Sequence, residues 1–168
     1  HDINLVHPIQ HYAQPPQLLC NCGDDCRNRF VLVEQAGDLY RPLVGRGATY
    51  ADIDADGDLD LLITQNGRRP ALYRNDQQLG HHWLRIELRG PSVIGARVEL
   101  TAAGVTQRRE LLPSRSYMSQ VELPLTFGLG AAQQVDSLEI FWPGGERQTV
   151  PVSQVDTVLV VRQPAPSN

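Results

Sequence analysis

The sequence predicts an all-β chain, and three observations support that class. Apolar and polar residues alternate in short runs that recur about every ten residues, the period-2 pattern of half-buried strands. Sustained helical periodicity is missing throughout the 168 residues. Gly, Pro and Asn punctuate the runs as turn signals do.

The N-terminal thirty residues are the least regular, with Pro8, Pro15, Pro16 and the cluster CNCGDDC. For Cys20, Cys22 and Cys26 three states stand open. They are one disulfide with a cysteine left over, free thiols, or a zinc site completed by His7 or His11, whose ligands lack the familiar paired spacing. An odd exposed cysteine would favour a covalent dimer. The β signal strengthens at RFVLVE (29–34).

GATYADI and LDLLIT read as strands around the stretch ADIDADGDLD, in which Asp52, Asp54, Asp56, Asp58 and Asp60 stand at every second position. A hard cation such as calcium takes about six to eight oxygens at roughly 2.3–2.6 Å, and alternate carboxylates in a tight loop converge on one centre. Asp52, Asp54 and Asp56 hold loop positions 1, 3 and 5, and Gly57 holds position 6, where the chain turns sharply. An EF-hand would need an acid at position 12, where Ile63 stands, and flanking helices, so a β-loop-β site is expected. In it, Asp52, Asp54, Asp56 and Asp60 supply side chains and Asp58 supplies its carbonyl. The bland alternative is a charged turn without an ion. Against it, like charges within about 5 Å repel by roughly 1 kcal/mol per pair even when screened.

A polar, glycine-containing segment, DQQLGHH (76–82), marks a boundary, giving expected domains of 1–80 and 81–168. Beyond it Leu84, Ile86 and Leu88 alternate with Arg85, Glu87 and Arg89, one apolar face and one wet. The device repeats in ARVELTA (96–102), VTQRRELLP (105–113), DSLEIFWP (136–143), RQTVPV (147–152) and DTVLVVR (156–162). Roughly seven strands over about eighty residues suit a sandwich or barrel. Trp142 is expected to anchor a strand end in the core, and Tyr117 and Met118 to pack inward.

Composition narrows function. The formal charge of −4 is smaller than the five negative charges of the aspartate run, so the remainder carries about +1. All 15 basic residues are arginine, scattered without a stripe, which leaves nucleic-acid binding without an electrostatic footprint. No apolar run approaches the roughly 18 residues of a membrane span. The opening HDINLVHPIQ has neither Met nor a signal-peptide pattern, so a mature chain or a piece of a longer one is expected. Gly45 to Gly47 lack the rest of a phosphate loop. Ser114, Ser116 and Ser119 with His82 and Asp136 make a triad only on paper, without a nucleophile elbow. The chain is therefore expected not to be an enzyme. His81, His82 and Trp83 suit a strand start at a junction, with a glycan platform or metal ligands as the alternative.

The stretch GRGATYADIDADGDLDLLITQNG, with RPALYRND after it, resembles an FG-GAP or VCBS-type repeat, the calcium-bearing blade unit of propellers. QPPQLLCNCGDDCRNRFVLVE resembles a worn copy of the same hairpin. HHWLRIELRG, IGARVELTAAGVTQRREL, SYMSQ, FGLG and VDSLEIFWPGGERQTV, in that order, resemble the ASPIC/UnbV domain. The resemblance implies a partial propeller-type blade, a β-loop-β calcium hairpin, followed by an antiparallel β-sandwich. It also implies a secreted or extracytoplasmic, non-enzymatic calcium-binding interaction or scaffold module. An auxiliary glycan-binding module of a carbohydrate-active or hydrolytic protein is the alternative. One or two blades cannot bury their own faces, so self-association or continuation of a longer propeller is expected, with an unknown protein or glycan as partner.

Overall fold

A computed structural model describes residues 5–9, 11–22 and 29–165. The described chain is all-β, with 14 strands, one short 3-10 turn at Gly37–Tyr40, and no sheet closed on itself. It divides into two compact units. One comprises residues 1–49, 60–74 and 116–119; the other comprises 50–59, 75–115 and 120–168. The segments of the two units alternate along the sequence, and residues 50–59 of the aspartate loop fall with the C-terminal strands.

The first unit is thin. β1 (Leu19–Asn21) and β2 (Phe30–Leu32) form an antiparallel pair in which Leu19 faces Leu32 and Cys20 faces Val31. Every residue of that pair is exposed, Leu19 by 53% and Phe30 by 56%. A second sheet orders β3 (Gly45–Ala51), β4 (Asp60–Gln65) and β5 (Ala71–Tyr73), with β4 in the middle. Leu43, Val44 and Ile63 are the buried apolar residues here. Gly47 is held by polar groups, its N–H donating to Thr64 Oγ1 at 2.9 Å. A Cβ at Gly47 would lie 3.1 Å from both Thr64 Oγ1 and Ser119 Oγ.

β9 (Ser114–Ser116) and β10 (Ser119–Gln120) form a tight ribbon whose turn carries Tyr117 and Met118. Both side chains point outward, 74% and 84% exposed, contrary to the expected inward packing. Ser119 takes the inward place, its hydroxyl accepting from the Ala48 N–H at 3.0 Å and donating to the Tyr117 carbonyl at 2.8 Å. With Met118 at φ 48°, the ribbon reverses at its tip and projects both large side chains away.

The second unit contains the main core. β6 (His82–Arg89) is central in a three-stranded sheet, between β11 (Leu125–Gly130) and β14 (Thr157–Arg162). β13 (Arg147–Thr149), β12 (Ser137–Phe141), β7 (Arg97–Ala102) and β8 (Val105–Glu110) make the other sheet, in that order. The inward faces of the two sheets merge into one apolar cluster that includes Leu84, Ile86, Val98, Leu100, Phe127, Leu138 and Ile140, all fully buried. Close packing of such faces is the main source of stability in a sandwich. Trp142 anchors a strand end as expected, 3% exposed, with Nε1 donating to Gln148 Oε1 at 3.1 Å.

One strand corrects the expected antiparallel sandwich. β14 runs parallel to β6, with Leu159 beside Ile86 and Val161 beside Leu88. β13 lies at one edge of the four-stranded sheet, and the connection after it carries the chain across to the free edge of β6. Arriving by crossover and not by hairpin, β14 can take the same direction as its neighbour.

Candidate metal loop on the outer face of a sandwich strand

Strand alternation prepares the site. With Leu84, Ile86 and Leu88 committed to the core, Trp83 and Arg85 project from the opposite face of β6. The loop after β3 lies against that face. Gly57 adopts φ 97°, outside what L side chains readily reach, and is buried. A Cβ placed on it would sit 2.1 Å from Trp83 Nε1 and 2.2 Å from Cε2. Gly57 is thus required twice, by the turn and by the indole packed on it. Ala55 also sits at positive φ, 62°, which costs roughly 1–2 kcal/mol for a residue with a Cβ.

Trp83 is itself clasped. Its N–H donates to Asp156 Oδ1 at 3.0 Å, and its carbonyl accepts from the Asp156 N–H at 2.7 Å. The other carboxylate oxygen of Asp156 meets His82 Nδ1 at 2.7 Å. The hydrogen bond with His82 holds the Asp156 carboxyl below its usual pKa, and the Trp83 N–H adds to the effect. His82 and Trp83 are accordingly occupied in holding the start of β6. Trp83 is half-buried, and Gly57 packs on the Nε1 and Cε2 edge of its indole.

Asp52, Asp54 and Asp56 come together, each offering a carboxylate oxygen within 4.8 Å of the others. Asp54 and Asp56 are exposed, whereas the Asp52 side chain retains only 2% of its surface. Asp52 Oδ2 accepts from the Gly57 N–H at 3.2 Å and from Arg85 Nη1 at 3.3 Å. Asp52 Oδ1 is buried with no hydrogen-bond partner among the described residues. Asp56 Oδ1 accepts from the Asp58 N–H at 2.9 Å, closing the turn. Asp58 and Asp60 are not in the cluster; Asp60 opens β4 in the other compact unit, 2% exposed and engaged in interactions of its own.

Arg85 and Glu122 join the network beside the loop, and the sequence did not single them out. The Arg85 guanidinium, 12% exposed, donates through Nη2 to Glu122 Oε2 and through Nη1 to Asp52 Oδ2 and Thr126 Oγ1. Thr126 stands directly opposite Arg85 in the β11–β6 register. Glu122 Oε2 also accepts from the Asp52 N–H at 3.4 Å, and Glu122 Oε1 is a second buried oxygen without a partner among the described residues. One buried cation between two buried carboxylates leaves net negative charge and two orphan acceptors beside the loop. Unpaired buried acceptors of this kind are costly unless something satisfies them.

The cysteine alternatives separate here. Cys22 takes part in a disulfide, Cys20 is free and exposed, and Cys26 lies outside the described residues.

Residues 89–168 match the family model described as ASPIC and UnbV. That match takes in β7 to β14, and with them most of the sandwich. Cartilage acidic protein 1 of Mus musculus is 30% identical over 138 residues, covering 76% of this chain and 21% of that protein. The Homo sapiens protein of the same name shows the same identity and coverage. The Xenopus tropicalis protein is 30% identical over 129 residues, 71% of this chain and 20% of its own length. The chain spans about a fifth of the length of these curated relatives. None of its helical segments is long and apolar enough to cross a membrane, among the described residues.

Proposed function

We propose that this chain is a non-enzymatic, extracellular calcium-binding module of the interaction or scaffold type, in which the ion plays a structural part. The observation that carries the reading is Asp52 Oδ1, buried and without a partner among the described residues, on a residue whose neighbours Asp54 and Asp56 bring oxygens within 4.8 Å. A carboxylate set of this kind suits a hard divalent cation, whose charge would offset the mutual repulsion and satisfy the orphan oxygen. Asp52, Asp54 and Asp56 would hold it, with Gly57 shaping the turn. Calcium bound there stabilises the folded loop because the unfolded chain offers no such site, and extracellular modules of this type bind at roughly 10⁻⁴ to 10⁻³ M.

The β-loop-β arrangement supports an FG-GAP or VCBS-type assignment for the first half, and the match over residues 89–168 supports the ASPIC/UnbV assignment for the second. The relatives' name, cartilage acidic protein, supports an extracellular, non-catalytic setting. The exposed apolar pair β1–β2 supports association with a second copy or with further blades, which a monomeric mass in solution for the full chain contradicts. The reading as a structural calcium module is tested by thermal melts with calcium and with chelator. Chelator lowers the melting temperature of the wild type, and Asp54→Ala melts low in both; identical wild-type melts contradict the role.

A further inference from the structure

β8, β11, the segment before β11 and the end of β3 at Tyr50 enclose a cavity of about 160 Å³, within the second compact unit. Its charged lining is Arg108, Arg109, Glu110, Arg115 and Glu122, three cations against two anions, with Tyr50 and Thr126 as neutral polar neighbours. Several of these are already committed. Arg108 Nε pairs with Glu99 Oε1 at 3.0 Å, and Glu122 pairs with Arg85. Arg115 Nη2 donates to the Glu110 carbonyl, a neutral acceptor. The Arg109 guanidinium lies over the Phe127 ring, 5.3 Å from its centroid, and among the described residues no carboxylate pairs with it. Loss of water holds the Arg109 pKa below the usual guanidinium value; Tyr50 opposes this shift and Arg115 adds to it.

We propose that this cavity receives one carboxylate group, the side chain of an aspartate or glutamate presented by an acidic segment of a partner protein. Size is the first reason. Drug-sized ligands occupy about 300–1,000 Å³, whereas about 150 Å³ takes a single ring such as benzene, so the cavity accepts one short side chain. Charge is the second. The lining carries one net positive charge, which a singly charged group neutralises, while a multiply charged sulfated chain would meet Glu110 and Glu122. Geometry is the third. Guanidinium forks match a planar carboxylate in a bidentate manner, and Arg109 and Arg115 both line the cavity, as does Tyr50. The cavity shares Glu122 with the network beside the aspartate cluster, and Arg109 and Arg115 lie outside that network.

The test is a titration of the full chain, with arginine Nε–H signals read by NMR, using sodium acetate, a capped Gly-Glu-Gly peptide, sodium sulfate and sodium chloride at matched ionic strength. Acetate and the peptide shift the Arg109 and Arg115 signals saturably, and chloride does not. Arg109→Gln weakens the peptide's binding by about tenfold or more, the loss expected for a charge-assisted hydrogen bond. Should that variant fail to fold, Arg115→Gln shows the same direction of change. Equal, non-saturating drift with acetate and chloride overturns the proposal. So does saturation that survives both substitutions, and so does saturation by sulfate with no response to the peptide, which would assign the cavity to a sulfate ester.

Discussion

Gly57→Ala is the substitution that probes the loop most sharply, because two independent costs fall on one methyl group. The backbone is at φ 97°, and holding an L residue in such a region costs about 1–3 kcal/mol. The new Cβ would also lie 2.1 Å from Trp83 Nε1, well inside contact distance, and forced repacking of that kind costs about 1–3 kcal/mol. Asp156 holds the Trp83 backbone through its N–H and carbonyl, so relief must come from rotating the indole out of its packed position. The expected loss is therefore about 2–6 kcal/mol. Urea unfolding in chelator, followed by far-ultraviolet circular dichroism, measures it without any contribution from an ion. Repeating the substitution in a Trp83→Ala background separates the two parts. There the steric part vanishes, and only the backbone cost of about 1–3 kcal/mol remains. A loss below about 0.5 kcal/mol, or one unchanged by removing the indole, refutes the packing of Trp83 on Gly57.

Arg85→Met leaves Asp52 and Glu122 as buried carboxylates without their cation, and should destabilise the fold by about 3–5 kcal/mol in chelator, checked by urea unfolding. An unchanged midpoint shows that the network is solvated. Asp156→Asn tests the clasp on β6 through pH. The folded Asp156 carboxyl titrates below its usual value, so the unfolded chain takes up the proton first. The stabilisation is fully present above about pH 4, the ordinary carboxylate range, and is lost as pH falls through the lower folded value. The difference in melting temperature between wild type and Asp156→Asn should accordingly shrink on acidification; a constant difference removes the charge from the account. Asparagine tolerates the positive φ of Asp156, 57°, so backbone strain does not enter the comparison.

Much of the sandwich was legible because strand alternation is a local signal. Leu84, Ile86 and Leu88 could be assigned to one face without knowing what they pack on, and that face proved to be the core. Strand direction was not legible. A strand written DTVLVVR alternates in the same way beside a parallel or an antiparallel neighbour, and only the crossover from β13 makes β14 parallel. The loop was half legible: Asp52, Asp54, Asp56 and Gly57 announce a turn with converging oxygens, and those three carboxylates do converge. Asp60 opens strand β4 and is buried there, so its place in the loop's ligand set rests on the spacing alone. Arg85 and Glu122 could not be foreseen, being 33 and 70 residues from Asp52 and joined to it only through tertiary packing. Tyr117 and Met118 misled because large apolar side chains normally seek cover, whereas a tight ribbon turn forces them outward.

The central claim is that a divalent ion completes the coordination left open at Asp52, and a calcium titration of chelator-stripped protein, followed through the backbone amide signals of Asp54 and Gly57, tests it most directly. The account predicts saturable shifts confined to the loop and to Trp83, with a midpoint of roughly 10⁻⁴ to 10⁻³ M, abolished by Asp52→Asn. Signals that do not move up to about 10 mM calcium, or that move equally in the Asp52→Asn protein, contradict it.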